Sequence, residues 1–276
     1  MRLSILSDEI SLDINTALEF LQEINCREFE LRKLGLDNFS SADERWLDLA
    51  EKAIHHKRFR VTSLVPDFFL YNQPSPDAVE RLFELSKRFN CNTVTIYGCN
   101  TDNFSAESDV DGDDESGIPP GVVSTIKTFV NTAMSHNCRV WLKTHEDTFA
   151  ATSAEAISII KAVGVPEKAF GLDWDVAACF AAGDDSGLDS VEDVLPVLQA
   201  VHVRDAVRRG LGADSVSMGK GVIPWEDIFE QLYEGGYRGP TVVEPRVAPK
   251  LKESRTAMLL AARWIEASRM RPRNKS

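Results

Sequence analysis

Four things are missing from this chain of 276 residues, and each closes off a class of function. No hydrophobic run approaches the ~20 residues of a membrane-spanning helix, and Met1-Arg-Leu-Ser-Ile-Leu-Ser-Asp8 meets charge too early for a secretory leader. Positive charge is in short supply. The 31 Lys and Arg against 43 Asp and Glu leave a net charge of -12, the wrong sign for a nucleic-acid backbone. Arg269, Arg271, Arg273 and Lys275 read only as a solvated helix end and terminus. The five cysteines include no CxxC pair; Cys26, Cys91 and Cys138 each follow an asparagine at a helix end and precede a strand, as small buried residues do. A glycine-rich phosphate turn after the first strand is also absent, which weakens a dinucleotide-binding reading. The expectation is a reduced, cytoplasmic chain with no nucleic-acid and no membrane partner; a homo-oligomer stays open.

What is present is alternation. Strand-like runs fall at 3–6, 28–32, 60–65, 93–97, 139–145, 170–175, up to 203, and 240–244, with helix-periodic segments between them. Thr152-Ser-Ala-Glu155 and Ser41-Ala-Asp-Glu44 have capping-box spacing, and Ser75-Pro76 is a cap followed by a first-turn proline. Eight such units with no composition break predict one domain over 1–276, a closed (β/α)8 TIM barrel. The exception is a polar stretch at about 98–118 with Asp109, Asp111, Asp113, Asp114 and Glu115. Gly112 and Pro120 fall at the wrong places for a calcium loop, so it is expected to be an acidic surface loop or lid.

Barrels of this kind keep their chemistry at the C-terminal ends of the strands. Those ends carry Asp8/Glu9, Glu30/Arg32, Asp67, Lys143/His145, Asp173/Asp175, His202/Arg204/Asp205 and Glu244/Arg246. One charged strand end is ordinary solvation, whereas so many converging ends predict a site. Asp175, His202 and Glu244 make a mixed oxygen and nitrogen set suited to Mn, Mg, Zn or Co. The residues equally allow a buried ion-pair network with Lys143, Arg204 and Arg246. His55, His56 and His136 fall at helix ends and are expected to be solvated.

Phe29-Glu-Leu-Arg32, Leu172-Asp-Trp-Asp-Val176, Val201-His-Val-Arg-Asp205, Met218-Gly-Lys-Gly-Val-Ile-Pro-Trp225, Gly236-Tyr-Arg-Gly239 and Val242-Val-Glu244 occur in this order along nearly the whole chain. In them the sequence resembles the xylose isomerase-like barrel superfamily, the sugar phosphate isomerase/epimerase and AP endonuclease family 2 group. The resemblance implies a divalent metal held by a glutamate after strand five, an aspartate after strand six, a histidine after strand seven and a glutamate after strand eight. Asp175, His202 and Glu244 match the last three. The first is lost, because Lys143-Thr-His145 stands where relatives read Glu-Asn-His, and Ala178 replaces a common histidine or asparagine.

The resemblance implies a carbohydrate substrate and a proton shuttle between two metal-bound glutamates beside a carbonyl, which Lys143 prevents from running unchanged. Lysine could instead act as a base, form a Schiff base, or neutralise Asp175 and Glu244. The expected catalytic residues are Glu244, Lys143 and His145, with Glu30, Arg204, Asp205 and Arg246 binding a sugar or sugar phosphate. The divalent metal is expected to be weakly held or absent because of Lys143. The alternatives are a lyase or decarboxylase on a keto sugar, or a ligand-binding relative without catalysis. DNA repair is disfavoured by the negative charge and the sparse histidines.

Overall fold

In the computed structural model, which describes residues 1–70, 73–103, 118–185 and 187–270, eight parallel strands form one sheet. They are β1 (Arg2–Ile5), β2 (Glu28–Leu31), β3 (Arg60–Leu64), β4 (Thr93–Tyr97), β5 (Arg139–Lys143), β6 (Phe170–Asp175), β7 (Leu198–Val203) and β8 (Pro240–Val243). Their order is β1-β8-β7-β6-β5-β4-β3-β2, and a parallel bridge between Leu6 and Glu30 brings the two edge strands together. This is the expected (β/α)8 barrel, nearly closed. Around it lie α1 (Ile14–Glu23), α2 (Glu44–His56), α3 (Pro76–Arg88), α4 (Pro120–Ser135), α5 (Ser153–Val163), α6 (Val176–Ala182), α7 (Trp225–Glu234) and α8 (Lys250–Met270). None of the helices is long and apolar enough to cross a membrane among the described residues. The acidic stretch from Asp109 to Glu115 lies outside them.

Local chemistry sets the helix boundaries. Ser75 accepts from the Ala78 amide with Pro76 in the first turn, and Thr152 and Glu155 complete a reciprocal capping box. The box expected at Ser41 does not form. Residues Phe39–Ser41 make a 3-10 turn, so Asp43 becomes the cap, accepting from the Arg45 amide at 2.8 Å. Three helices end alike: Asn25, Asn90 and Asn137 adopt φ of 55°, 50° and 58°, conformations that asparagine tolerates better than most residues. The following cysteine amide then bonds back five residues at 2.9 Å in each case, to Leu21, Ser86 and Ala133 carbonyls. Each Asn-Cys pair is thus a helix stop followed by a small buried plug.

The apolar core fills the shell between sheet and helices, with Phe29, Leu47, Phe83, Phe129, Ile160 and Trp174 among its buried members. The barrel interior is different. Ser4 on β1 reaches Thr62 on β3 across 3.3 Å, although β2 lies between those strands in the sheet. Such contacts can form only through the inside of the barrel, and Glu30, Lys143, Asp173, His202 and Glu244 meet there in the same way, all with no exposed surface. Two hairpins were not expected, 33–34 with 37–38 and Asp205–Arg209 with Gly212–Val216. The second follows β7 directly, turning at Gly210 with φ of 60°.

Candidate functional site

The sheet register assembles the site. Lys143 lies beside Asp173, Asp175 beside His202, and His202 beside Val242, so side chains from β5, β6, β7 and the end of β8 converge inside one mouth. Lys143 Nζ donates to Glu244 Oε2 at 2.5 Å and lies 3.9 Å from Asp175 Oδ2. It also stands 2.7 Å from His202 Nδ1, which in turn is 3.0 Å from the same Glu244 oxygen. Which of these two neighbours Nδ1 bonds depends on which ring nitrogen carries the proton.

A ring of arginines completes the layer. Arg32 Nη1 and Arg246 Nε both donate to Glu244 Oε1, at 2.8 and 2.9 Å. Arg32 also reaches Asp8 at 2.7 Å, and the Arg246 amide donates to Glu9 at 2.9 Å with the backbone turned to φ of 54°. Arg204 Nε lies 3.1 Å from each oxygen of Asp175, whose Oδ1 also caps α6 through the Ala178 amide. Trp225 pins the Arg204 carbonyl through its indole N–H, and Ser215 of the unexpected hairpin accepts from Arg204 Nη1 at 3.1 Å.

The charges follow from this packing. Burial alone would push Glu244 up, but Arg246, Lys143 and Arg32 outweigh it and hold the carboxyl well below its usual range. Asp175 is likewise lowered against burial by Arg204 and Lys143. For Lys143, burial lowers the pKa, yet Glu244 and Asp175 raise it further, so the side chain stays an ammonium. His145 is the opposite case. Burial depresses it, leaving a neutral imidazole at pH 7, with Nδ1 accepting from the Asp147 amide at 3.3 Å. It lines a cleft of about 300 Å3 with Arg32, Lys33, Asp67, Leu70, Tyr97 and Arg246. A larger groove, of about 560 Å3 and lined by Phe69, Val79, Thr125 and Phe129 among others, is built mainly from α3 and α4.

Of the expected site residues, Asp175, His202, Glu244, Lys143, Arg204 and Arg246 come together, and His145 lies at the cleft beside them. Glu30 sits one layer deeper, without exposed surface. Asp205 is drawn away from the cluster: its carboxylate accepts from the amides of Gly219, Gly221 and Ile223 and anchors that turn. Arg32, Glu9 and Asp173 join the site without having been assigned a role. Their signal in the sequence was a charge at a strand end, with Arg32 and Asp173 also lying inside the stretches that carry the family resemblance.

The family model for xylose isomerase-like TIM barrels matches residues 18–267. Among solved structures, a xylose isomerase-like TIM barrel protein from Mycobacterium smegmatis in complex with magnesium superposes with a TM-score of 0.70 at 13% identity, covering 97% of both chains. A probable 3-DHS dehydratase from Bacillus anthracis gives 0.73 at 15% identity, covering 95% of this chain and 99% of that one. D-psicose 3-epimerase from Clostridium cellulolyticum with D-tagatose gives 0.66 at 15%, covering 97% and 96%. A sequence search of curated proteins finds no match.

The donor atoms of Asp175, His202 and Glu244 lie close enough together for one ion. They do not fit the metal that the resemblance implies while Lys143 keeps its proton. Every oxygen of Glu244 is already held by a cationic donor, and Arg204 covers both oxygens of Asp175. The barrel, the order of its strand-end acids and the match over 18–267 converge, and the chain belongs to the xylose isomerase-like TIM barrel family, as a member with Lys143 where the resemblance places a glutamate.

Proposed function

We propose that the chain is an enzyme that transfers a proton next to the carbonyl of a sugar or sugar phosphate, as an isomerase or epimerase does. The observation that carries this reading is the pairing, in one cleft, of fixed cationic donors with an uncharged histidine. Arg32 and Arg246 are already oriented by Glu244 and need no reorganisation to stabilise an enolate oxygen or a phosphate. Lys143 supplies further positive charge just beneath them. His145, neutral at working pH, is the acid/base group. Glu244 has no exposed surface and acts as the positioning residue for all three cations. The small-molecule carbohydrate class is supported by the epimerase neighbour, and the sugar-modifying step shares its enolate with a lyase reaction.

Proton transfer is tested by incubating aldo and keto sugars and their phosphates with the protein in D2O and following carbon-bound hydrogen by NMR. Exchange of the hydrogen next to the carbonyl is expected. His145→Gln should slow it about 100-fold or more while changing binding less than threefold. Loss of a functional group with exchange would assign the lyase reading. Sugars that bind without any exchange would assign a binding protein instead.

A further inference from the structure

One layer below the mouth lies a second trio, Glu30, Asp173 and His202 Nε2, which shares only His202 with the expected metal set. Each residue has no exposed surface. Both oxygens of Glu30, both oxygens of Asp173 and His202 Nε2 have no hydrogen-bond partner. Nε2 is 3.2 Å from Asp173 Oδ2 and 3.3 Å from Glu30 Oε2, yet neither contact has hydrogen-bond geometry. Leaving this many polar atoms unsatisfied in a barrel core is costly, so the arrangement calls for an occupant.

We infer that Glu30, Asp173 and His202 Nε2 form a buried site for one divalent cation of the zinc or cobalt class. The spacings are those of a coordination shell. Four ligands at ~2.0 Å around a tetrahedral ion lie ~3.3 Å from one another. Two carboxylates that can each bind through one or both oxygens, plus one imidazole nitrogen, offer three to five donors without water. That selects a borderline cation over magnesium, which retains its waters. The two carboxylates balance the ion's charge. With the ion on Nε2, the ring proton belongs on Nδ1, where Glu244 Oε2 at 3.0 Å accepts it, the second-shell arrangement usual for ligating histidines. Lys143 Nζ, 2.7 Å from Nδ1, must then draw back from it and donate to Glu244 alone. It stands at the opposite ring nitrogen, so the imidazole separates the ammonium from the ion. His202 on this reading faces inward as a ligand, while the mouth above it is run by side-chain cations.

The site is closed, so the test loads it during folding. Wild-type protein is refolded with Zn2+ or Co2+, dialysed, and its metal content measured by mass spectrometry; about one ion per chain is expected. Asp173→Asn and Glu30→Gln, confirmed as folded by circular dichroism, should each weaken Zn2+ about 100-fold or more in competition with a chelating dye. Asp175→Asn, at the mouth, should change it less than threefold. Should the core variants fail to fold, anomalous diffraction from the wild-type zinc form decides, with the ion expected ~2.0 Å from Nε2. Wild-type protein that retains no ion, an ion that depends on Asp175 and not on Asp173, or anomalous density on the Nδ1 side would each overturn the site.

Discussion

Lys143→Glu reverses the charge at the point where this chain departs from its family. In the wild type the ammonium is 2.5 Å from Glu244 and 3.9 Å from Asp175, in a layer without solvent. A dication ~4 Å from that ammonium is opposed by roughly 8 kcal/mol at an effective dielectric of about 20. Swinging the lysine aside recovers part of this, at the cost of leaving a buried ammonium unpaired. With about 1.4 kcal/mol per factor of ten, a residual penalty of ~3 kcal/mol is still two orders of magnitude in affinity. Lys143→Glu should therefore bind Mn2+ at the mouth about 100-fold more tightly than wild type. Titration calorimetry measures the difference, and the gained equivalent should vanish when Asp175→Asn is added. Without metal the variant gathers carboxylates that nothing neutralises, so its thermal midpoint should fall and Mn2+ should restore it. Wild-type protein that binds Mn2+ tightly in an Asp175-dependent way, with no gain from Lys143→Glu, would refute the idea that the lysine excludes the ion.

Three further outcomes follow from the same layer and its supports. Glu244→Gln removes the anchor of Lys143, Arg32 and Arg246; proton exchange should drop about 100-fold and denaturant unfolding should show a loss of ~3 kcal/mol or more, as for other broken buried pairs. Acid should unfold the protein through the mouth. Glu244 and Asp175 sit below their ordinary 4.5 and 3.8 in the folded state, so their stabilisation is present above those values and is lost as pH falls through the lower folded ones. Urea midpoints from pH 6 down to 2 should therefore decline, and the decline should flatten in Asp175→Asn. Gly221→Ala would drive a methyl into the Asp205 carboxylate that holds the 219–223 turn, costing about 2 kcal/mol, read as a lowered melting temperature.

The barrel was legible because its signals are local. Alternating periods, the Ser75 and Thr152 caps and the Asn-Cys stops each act within one turn of chain. The 205–216 hairpin was equally local and was overlooked although Gly210 and Gly212 bracket its turn. What could not be read was ownership of the strand-end charges. Lys143 and Glu244 are 101 residues apart, and Arg32 and Glu244 are 212 apart. Whether Glu30 and Asp173 share a layer with Asp175 or lie beneath it depends on barrel stagger, which a single strand does not encode. Asp205 shows the reverse error: it stands next to site residues in sequence, yet its carboxylate serves a turn.

The position of Lys143 also explains why a missing ligand is a poor guide to a missing charge. The acids at the ends of β6 and β8 need compensation because they are buried, and neither Asp175 nor Glu244 has exposed surface through which solvent could provide it. A metal is one source of that charge. Arg204 on Asp175, with Lys143, Arg32 and Arg246 on Glu244, is another, drawn from the ends of β2, β5, β7 and β8. The two solutions differ in reach. A metal offers open positions to substrate oxygens, whereas fixed guanidinium groups offer only their remaining N–H donors. Of the three cations on Glu244, Arg32 and Arg246 also line the cleft. On the function proposed above, substrate contact falls to Arg32 and Arg246, of which only Arg246 was expected from the sequence to make it.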